Sequence, residues 1–237
     1  MKETGLMFKA PLVRAILSGQ KTQTRRICKP AVAHNLSQVV EVPDPQERGQ
    51  VYNGSTFGDE EGDILFSSPF GGLGDRIYVR ETWAYGVHAL AASRDEDGPF
   101  VYAAEGTTQG RLCERWRPSI HMPKHAARIW LEITGVRVER LQAISEDDAE
   151  AEGCERLETE RDERDYKLCP KCGGTRLHNA IGGNGGVIFD VDCQACDTYA
   201  KRFRHLWDST GGDWAANPWV WVIDFKRIDQ PAPKEAP

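Results

Sequence analysis

Two pairs of closely spaced cysteines constrain this chain more than any other feature. Cys169 and Cys172 form the first pair, Cys193 and Cys196 form the second, and 20 residues separate the pairs. Two CxxC pairs at this distance are typical of a four-thiolate zinc site. Four sulfurs fill every tetrahedral position, so we expect one structural zinc per chain, with no position open to water or substrate. The alternatives are four buried or disulfide-bonded cysteines, or His178 in place of one thiolate.

Composition restricts the class of protein further. The chain has 237 residues, of which 40% are hydrophobic, and this is enough for one core with insertions. No stretch approaches the roughly 18 consecutive apolar residues of a membrane span, and the N-terminus has no signal-like apolar core. We therefore expect a cytoplasmic protein without a membrane partner. A net charge of −6 argues against bulk coating of nucleic acid, so a nucleic-acid or nucleoside contact requires a local basic patch.

The hydrophobic pattern predicts many short strands and few helices. The absence of a βαβ rhythm favours an α+β fold, a mostly antiparallel β-barrel with short helices at its ends and a zinc-ribbon-like insertion. We expect a single domain over 1–228 that contains insertions at 31–72 and 86–126 and a zinc-binding insertion at about 165–198. A disordered tail is expected at 229–237.

Four motifs in fixed order resemble one known family. They are GQKTQTRR at 19–26, GDRIYVRETW at 74–83, SEDDAEAEG at 145–153 and NPWVWVIDF at 217–225. Together they resemble the ASCH domain family, whose fold is a PUA-like β-barrel. The chain is also similar to the larger, phage-associated members, which carry a zinc-type insertion before the last helix.

The resemblance implies an activity and three residues for it. Some small bacterial members are amidohydrolases that remove the acyl group from N(4)-acetylcytidine, and others are proposed RNA binders or ribonucleases. The amidohydrolases combine lysine and threonine in a Gly-x-Lys-Thr-x-Thr segment with a glutamate that ends a short acidic helix. Lys21, Thr24 and Glu152 match these positions. The chain departs from the family in being about twice the minimal domain, which leaves substrate size and access open.

The three residues also make chemical sense by themselves. Amide hydrolysis needs a nucleophile, a base and a donor for the oxyanion. Lys21 beside a carboxylate can deprotonate the Thr24 hydroxyl or a water, while Glu152 orients the lysine or exchanges protons with it. An acid in the last helical turn also opposes the helix dipole, which calls for a cation such as Lys21. One objection is parity, because positions 21 and 24 point to opposite faces of a regular strand unless a bulge or turn intervenes.

Five further residues are candidate substrate contacts. Arg25, Arg26 and Arg80 can hold an oxyanion or a phosphate. Glu81 and Trp83 follow on the same predicted strand as Arg80. A tryptophan beside an arginine can stack on a base, although a tryptophan on a barrel strand is more often part of the core.

Three functions use the same cationic cleft and stay open from the residues alone. The first is hydrolysis of acylated or otherwise modified pyrimidine nucleosides or nucleobases, the second is RNA or DNA binding without turnover, and the third is a ribonuclease. The Lys-Thr-x-Thr pattern favours the hydrolase, for which Lys21→Ala and Glu152→Gln should abolish turnover with folding intact. The alternative is that Lys21, Thr24 and Glu152 are an ordinary ion pair, a strand hydroxyl and a solvated acid.

Overall fold

The computed structural model describes 1–43, 52, 54, 56–86, 99–106, 113, 115–154, 169–173 and 177–230. The fold is mixed α+β, with mostly strands and few helices. In chain order the strands are β1 (Glu3–Met7), β2 (Gln23–Ile27), β3 (Val40–Glu41), β4 (Thr56–Gly58), β5 (Leu65–Ser67), β6 (Arg76–Arg80), β7 (Trp83–Tyr85), β8 (Phe100–Tyr102), β9 (Trp130–Arg140), β10 (Leu177–Ile181), β11 (Val187–Asp192) and β12 (Trp219–Ile228). The α-helices are α1 (Ala10–Leu17), α2 (Lys29–Ala33), α3 (Glu146–Ala151) and α4 (Tyr199–Ser209).

The central layer is a five-stranded sheet in the order β1-β6-β9-β12-β2. Strands β1 and β6 run parallel, and the other neighbours are antiparallel. Within the described residues this sheet is open, so the predicted closed barrel is not seen there. The predicted tail lies outside the described residues from position 231 onward, and so does the part of the zinc insertion at 165–168 and 174–176.

Strand β12 is buried on both faces, whereas its alternating pattern predicts one buried face. Val220 and Val222 are as fully buried as their neighbours. The second face carries Val222 and its cross-strand partners Arg25 and Arg137, and it lies under α3, where both arginines bind Asp148. The first face is covered by the predicted insertion at 31–72, where β3, β4 and β5 form a small sheet. From this sheet, Phe57 and Phe66 pack edge-on against Trp221, with ring centroids 5.1 and 5.8 Å away. The insertion is therefore part of the core.

The ends of helices α1 and α3 bring the residues of the candidate site together. Helix α1 is followed by Gly19 at φ +81°, and Lys21 N then donates to the Ala15 carbonyl at 3.0 Å. Helix α3 begins after Ser145, whose hydroxyl accepts a main-chain N–H at 3.1 Å, and is followed by Gly153 at φ +81°. A Cβ at Gly153 would lie 3.0 Å from the Ala15 Cβ and 3.1 Å from the Lys21 Cβ. Close approach at this glycine therefore brings the end of α3 against Lys21.

No helix in the described ranges has the length and apolar character needed to cross a bilayer.

Candidate functional site

Lys21 and Glu152 form a buried ion pair at the end of α3. Lys21 Nζ donates to Glu152 Oε2 at 2.6 Å, to the Glu152 carbonyl at 2.9 Å and to the Gln23 carbonyl at 2.7 Å. The two residues are only 2% and 3% exposed. The three bonds use all three ammonium donors, and one of them caps the C-terminal end of α3. The expected contact between this cation and this helix-end acid is confirmed.

The surroundings of the Lys21 amine favour loss of its proton. Burial lowers the pKa of Lys21, Glu152 acts in the opposite direction, and the nearby charge of Arg26 lowers the pKa further. The Arg26 guanidinium lies 5.2 Å from the Phe8 ring centroid, and Lys21 Nζ lies 6.0 Å from the same centroid. No carboxylate pairs with Arg26 among the described residues. The site thus combines a lysine of lowered proton affinity with an adjacent guanidinium that interacts with the Glu152 charge without a direct ion pair.

Arg25 lies behind this pair and is completely buried. Its NH1 donates to Glu152 Oε1 at 3.3 Å and also to the Gln23 side chain, and its NH2 donates to Asp148 Oδ2 at 3.0 Å. Gln23 Nε2 in turn donates to Asp148 Oδ1 at 2.8 Å and to Asp224 Oδ1 at 2.7 Å. The structure therefore makes Arg25 a support for the carboxylate, where the sequence predicts a substrate contact.

Arg137 on β9 completes this support and is absent from the sequence prediction. It donates to Asp148 Oδ2 at 2.7 Å, to Asp224 Oδ2 at 2.8 Å and to Glu139 Oε1 at 2.5 Å. The only sequence signal is an arginine and a glutamate two positions apart, on one face of a predicted strand. Their partners on α3 and β12 depend on strand order, which periodicity does not give.

The network predicts a pH-dependent stability at Asp148. Burial raises the pKa of Asp148, but hydrogen bonds from Gln23 and Arg137 outweigh it, so the folded-state pKa lies below 3.8. The stabilisation is therefore present above pH 3.8 and is lost as pH falls through the folded-state value. We expect Asp148→Asn to lower the free energy of unfolding by about 1–2 kcal/mol at pH 7, with the difference vanishing in strong acid. Urea unfolding at several pH values measures this.

The matched control for that titration is Asp147→Asn, the exposed neighbour on the same helix. The change in the free energy of unfolding should stay below about 0.5 kcal/mol and should not vary over the pH range in which Asp148 titrates. A pH-independent loss in Asp148→Asn would contradict the electrostatic role of Asp148.

The Thr24 hydroxyl is not joined to the pair. Thr24 is buried, yet neither Lys21 nor Glu152 makes a hydrogen bond to its side chain in the described structure. Strand β2 pairs with β12 in unbroken register over 23–27, and Lys21 lies outside this ladder, in the segment that follows Gly19. Thr24 instead shares its strand face with Arg26, the cation beside Lys21.

Arg80 and Glu81 belong to a second cluster, on the other side of Phe8 from Lys21. The Phe8 N–H donates to the Arg80 carbonyl at 3.0 Å. The Arg80 guanidinium donates to the carbonyls of Ile120 and Met122, the latter at 3.1 Å. Glu81 is buried and accepts two bonds from Arg128, at 2.9 and 3.2 Å. Burial raises the pKa of Glu81, and Arg128 opposes that rise.

Trp83 is a core residue of this second cluster. It is 1% exposed and packs edge-on against Tyr85 and Phe100, with ring centroids 5.3 and 5.7 Å away. The exposed Arg117 covers Trp83 and Tyr85, at 5.4 and 5.2 Å from their ring centroids. The structure therefore makes Trp83 a core residue with almost no exposed surface, where the sequence predicts a substrate contact.

The four cysteines of the two CxxC pairs come together as predicted. Their sulfurs all lie within 4.8 Å of one another, with 3.7 Å between Cys169 and Cys193 and 3.3 Å between Cys172 and Cys196. A disulfide requires about 2.0 Å, so these are free thiols. A tetrahedron of sulfurs about 2.3 Å from a zinc ion has edges of about 3.8 Å. The residues present are suited to a metal ion with four thiolate ligands.

Comparison with family models, curated proteins and solved structures gives no match to this chain.

Proposed function

We propose that this protein hydrolyses the acyl amide of N(4)-acetylcytidine-like compounds, that is, of modified pyrimidine nucleosides or nucleobases. The observation that carries the proposal is the buried pair of Lys21 and Glu152, joined at 2.6 Å, beside Arg26, which forms no ion pair with any carboxylate of the described ranges. Perturbed ionisable pairs of this kind are more frequent at catalytic sites than elsewhere. The order of the four motifs supports membership of the ASCH family and a PUA-like fold as part of the same proposal.

The residues supply a balanced sequence of proton transfers. Lys21 in its neutral form takes a proton from the attacking water or from the Thr24 hydroxyl, and Glu152 holds the resulting ammonium. Arg26 faces the negative charge that develops on the amide oxygen. Lys21 then returns the proton to the departing N(4) nitrogen, so that a carboxylic acid and cytidine are the products. If Thr24 is the nucleophile, water hydrolyses its ester in a second, equivalent step.

The proposal predicts turnover of N(4)-acetylcytidine by the metal-loaded protein. Cytidine and acetate should appear in equal amounts, followed by the change in absorbance and by chromatography. Longer N(4)-acyl cytidines, tested in parallel, define how much space the larger chain leaves for the acyl group. Failure to release cytidine from every member of this series would contradict the proposal.

A second candidate, RNA or DNA binding without turnover, is favoured by one observation. Arg26, Arg80 and Arg117 have no carboxylate partner in the part of the chain that is described. Guanidinium groups of this kind bind phosphates, and each phosphate contact contributes about one unit to the slope of log affinity against log salt. Strong binding with a slope of about three, without turnover, would favour this candidate over the hydrolase.

We further propose that the four-cysteine site holds one structural zinc ion. Thiolate ligands select zinc or iron–sulfur groups, and four of them at this spacing leave no open position for catalysis. The ion supplies folding energy to its own segment. Free thiols at Cys28, Cys113 and Cys154, all buried, favour a reducing compartment, so we propose a cytoplasmic location.

A further inference from the structure

Side chains of helix α4 hydrogen-bond the turn that contains the second cysteine pair. Three of them bind three consecutive carbonyls of the turn at 194–196: Lys201 Nζ binds the first at 2.9 Å, His205 Nε2 lies 3.1 Å from the second, and Arg202 Nε binds the third at 2.9 Å. The third carbonyl belongs to Cys196 itself. The position of the four-sulfur cluster is therefore tied to the position of α4.

The start of α4 is in turn tied to α3 by one carboxylate. Glu146 Oε2 accepts from Tyr199 N at 2.7 Å, and Glu146 Oε1 lies 3.3 Å from Ala200 N. These are unpaired N–H groups of the first turn of α4, where the helix dipole also favours a negative charge. Glu146 is thus a cap supplied by a neighbouring helix, and the same helix ends at Glu152.

Helix α4 also touches the support of Glu152 directly. The Phe203 ring lies under the Arg25 guanidinium, 5.6 Å from centroid to carbon, and Arg25 donates to Glu152. Burial raises the pKa of the Cys154 thiol to about 12, and its charged neighbours, among them Arg202 of α4, have smaller effects. Cys154 is 6% exposed and lies two residues after Glu152. Cys154 belongs to the same buried cluster as Phe203, Leu206 and Trp207 of α4, so its protection reports whether α4 is seated.

We propose that Glu146 is a positioning residue, which seats α4 and its metal-binding turn on α3 and so fixes the carboxylate of Glu152. The assignment deepens the proposed hydrolysis and rests on it for its kinetic consequence only. The seating itself is a property of the fold, and it can be tested without substrate.

The test compares alkylation of Cys154 in the full-length, zinc-loaded protein by iodoacetamide, mapped by peptide mass spectrometry. Loss of one helix cap makes local opening of the helix about fivefold to tenfold more frequent than in wild type. We expect Glu146→Ala to raise the Cys154 labelling rate by about that factor while one metal per chain is retained. Glu146→Gln keeps one acceptor oxygen, so its labelling rate should lie between those of wild type and Glu146→Ala.

The matched control is Asp147→Ala, which removes an exposed carboxylate from the same turn of α3. Wild-type labelling in Glu146→Ala, or an equal increase in Asp147→Ala, would overturn the assignment. If Glu146→Ala does not fold, Glu146→Gln against Asp147→Asn makes the same comparison. A wild-type protein that lacks turnover refutes the hydrolase alone, whereas turnover with kcat reduced in Glu146→Ala and unchanged in Asp147→Ala supports both.

Discussion

Lys21→Met is expected to lower the free energy of unfolding by about 3–5 kcal/mol and to abolish turnover. The substitution leaves the Glu152 carboxylate buried, with one long contact to Arg25 at 3.3 Å, and breaking a buried ion pair has a cost of this size. The sequence alone predicts that Lys21 can be replaced with folding intact. Because Lys21 is buried in an ion pair, we now expect its replacement to reduce stability. Urea unfolding followed by circular dichroism measures the loss.

The matched control is the exposed pair of Lys226 and Glu132 at 2.7 Å. Its distance is close to that of the buried pair, but solvent screens it, so Lys226→Met should change stability by less than about 1 kcal/mol. The double variant Lys21→Met/Glu152→Gln removes both charges and should be more stable than Lys21→Met alone. If Lys21→Met is no more destabilising than Lys226→Met, the ion pair is not the buried, charged pair described here.

Removal of the metal should produce the second large effect, confined to one part of the chain. Among the described residues, the interior around the four sulfurs consists of the cysteines and Ala195. The neighbouring hairpin β10–β11 turns its apolar side chains outward, with Phe189 69% exposed. Metal binding to such segments contributes about 10–16 kcal/mol in isolated peptides, so we expect the fold of this module to depend on the proposed ion.

We therefore expect chelation or Cys172→Ser to remove amide-exchange protection from 177–209 while β6, β9 and β12 keep theirs. Metal analysis of the freshly purified protein should give one zinc per chain. Cys28→Ala is the control, because it removes a buried thiol from the main core and should leave the metal content unchanged. An absence of stoichiometric metal, or a uniform loss of protection across the chain, would contradict this account.

The features that the sequence predicts well depend on local chemistry. Glycine after a helix and serine before one are local signals, and Gly19, Gly153 and Ser145 occupy such positions at the ends of α1 and α3, where each role needs only neighbouring backbone. The cysteine cluster was predictable because metal ligation has a characteristic spacing. The contact of Lys21 with Glu152 followed from the helix-end acid, which needs a nearby cation.

The features that the sequence did not predict depend on distant pairing. Arg25 has the same local pattern as a substrate-binding arginine, and only the packing of α3 and β9 around it supplies its three carboxylates. The second buried face of β12 lies under α3, a helix far from β12 in the sequence. Trp83 is likewise covered by Arg117, a residue 34 positions later in the chain. Hydrophobic periodicity describes one strand at a time and contains none of these contacts.

The most direct test of the central claim is the steady-state kcat for N(4)-acetylcytidine in wild type, Glu152→Gln and Lys226→Met. Each protein is assayed in its zinc-loaded form, under conditions at which circular dichroism shows it folded. The account predicts release of cytidine by wild type and by Lys226→Met at similar rates, and a loss of at least about a hundredfold in folded Glu152→Gln. Wild-type turnover that persists in folded Glu152→Gln would contradict a catalytic role for the buried pair.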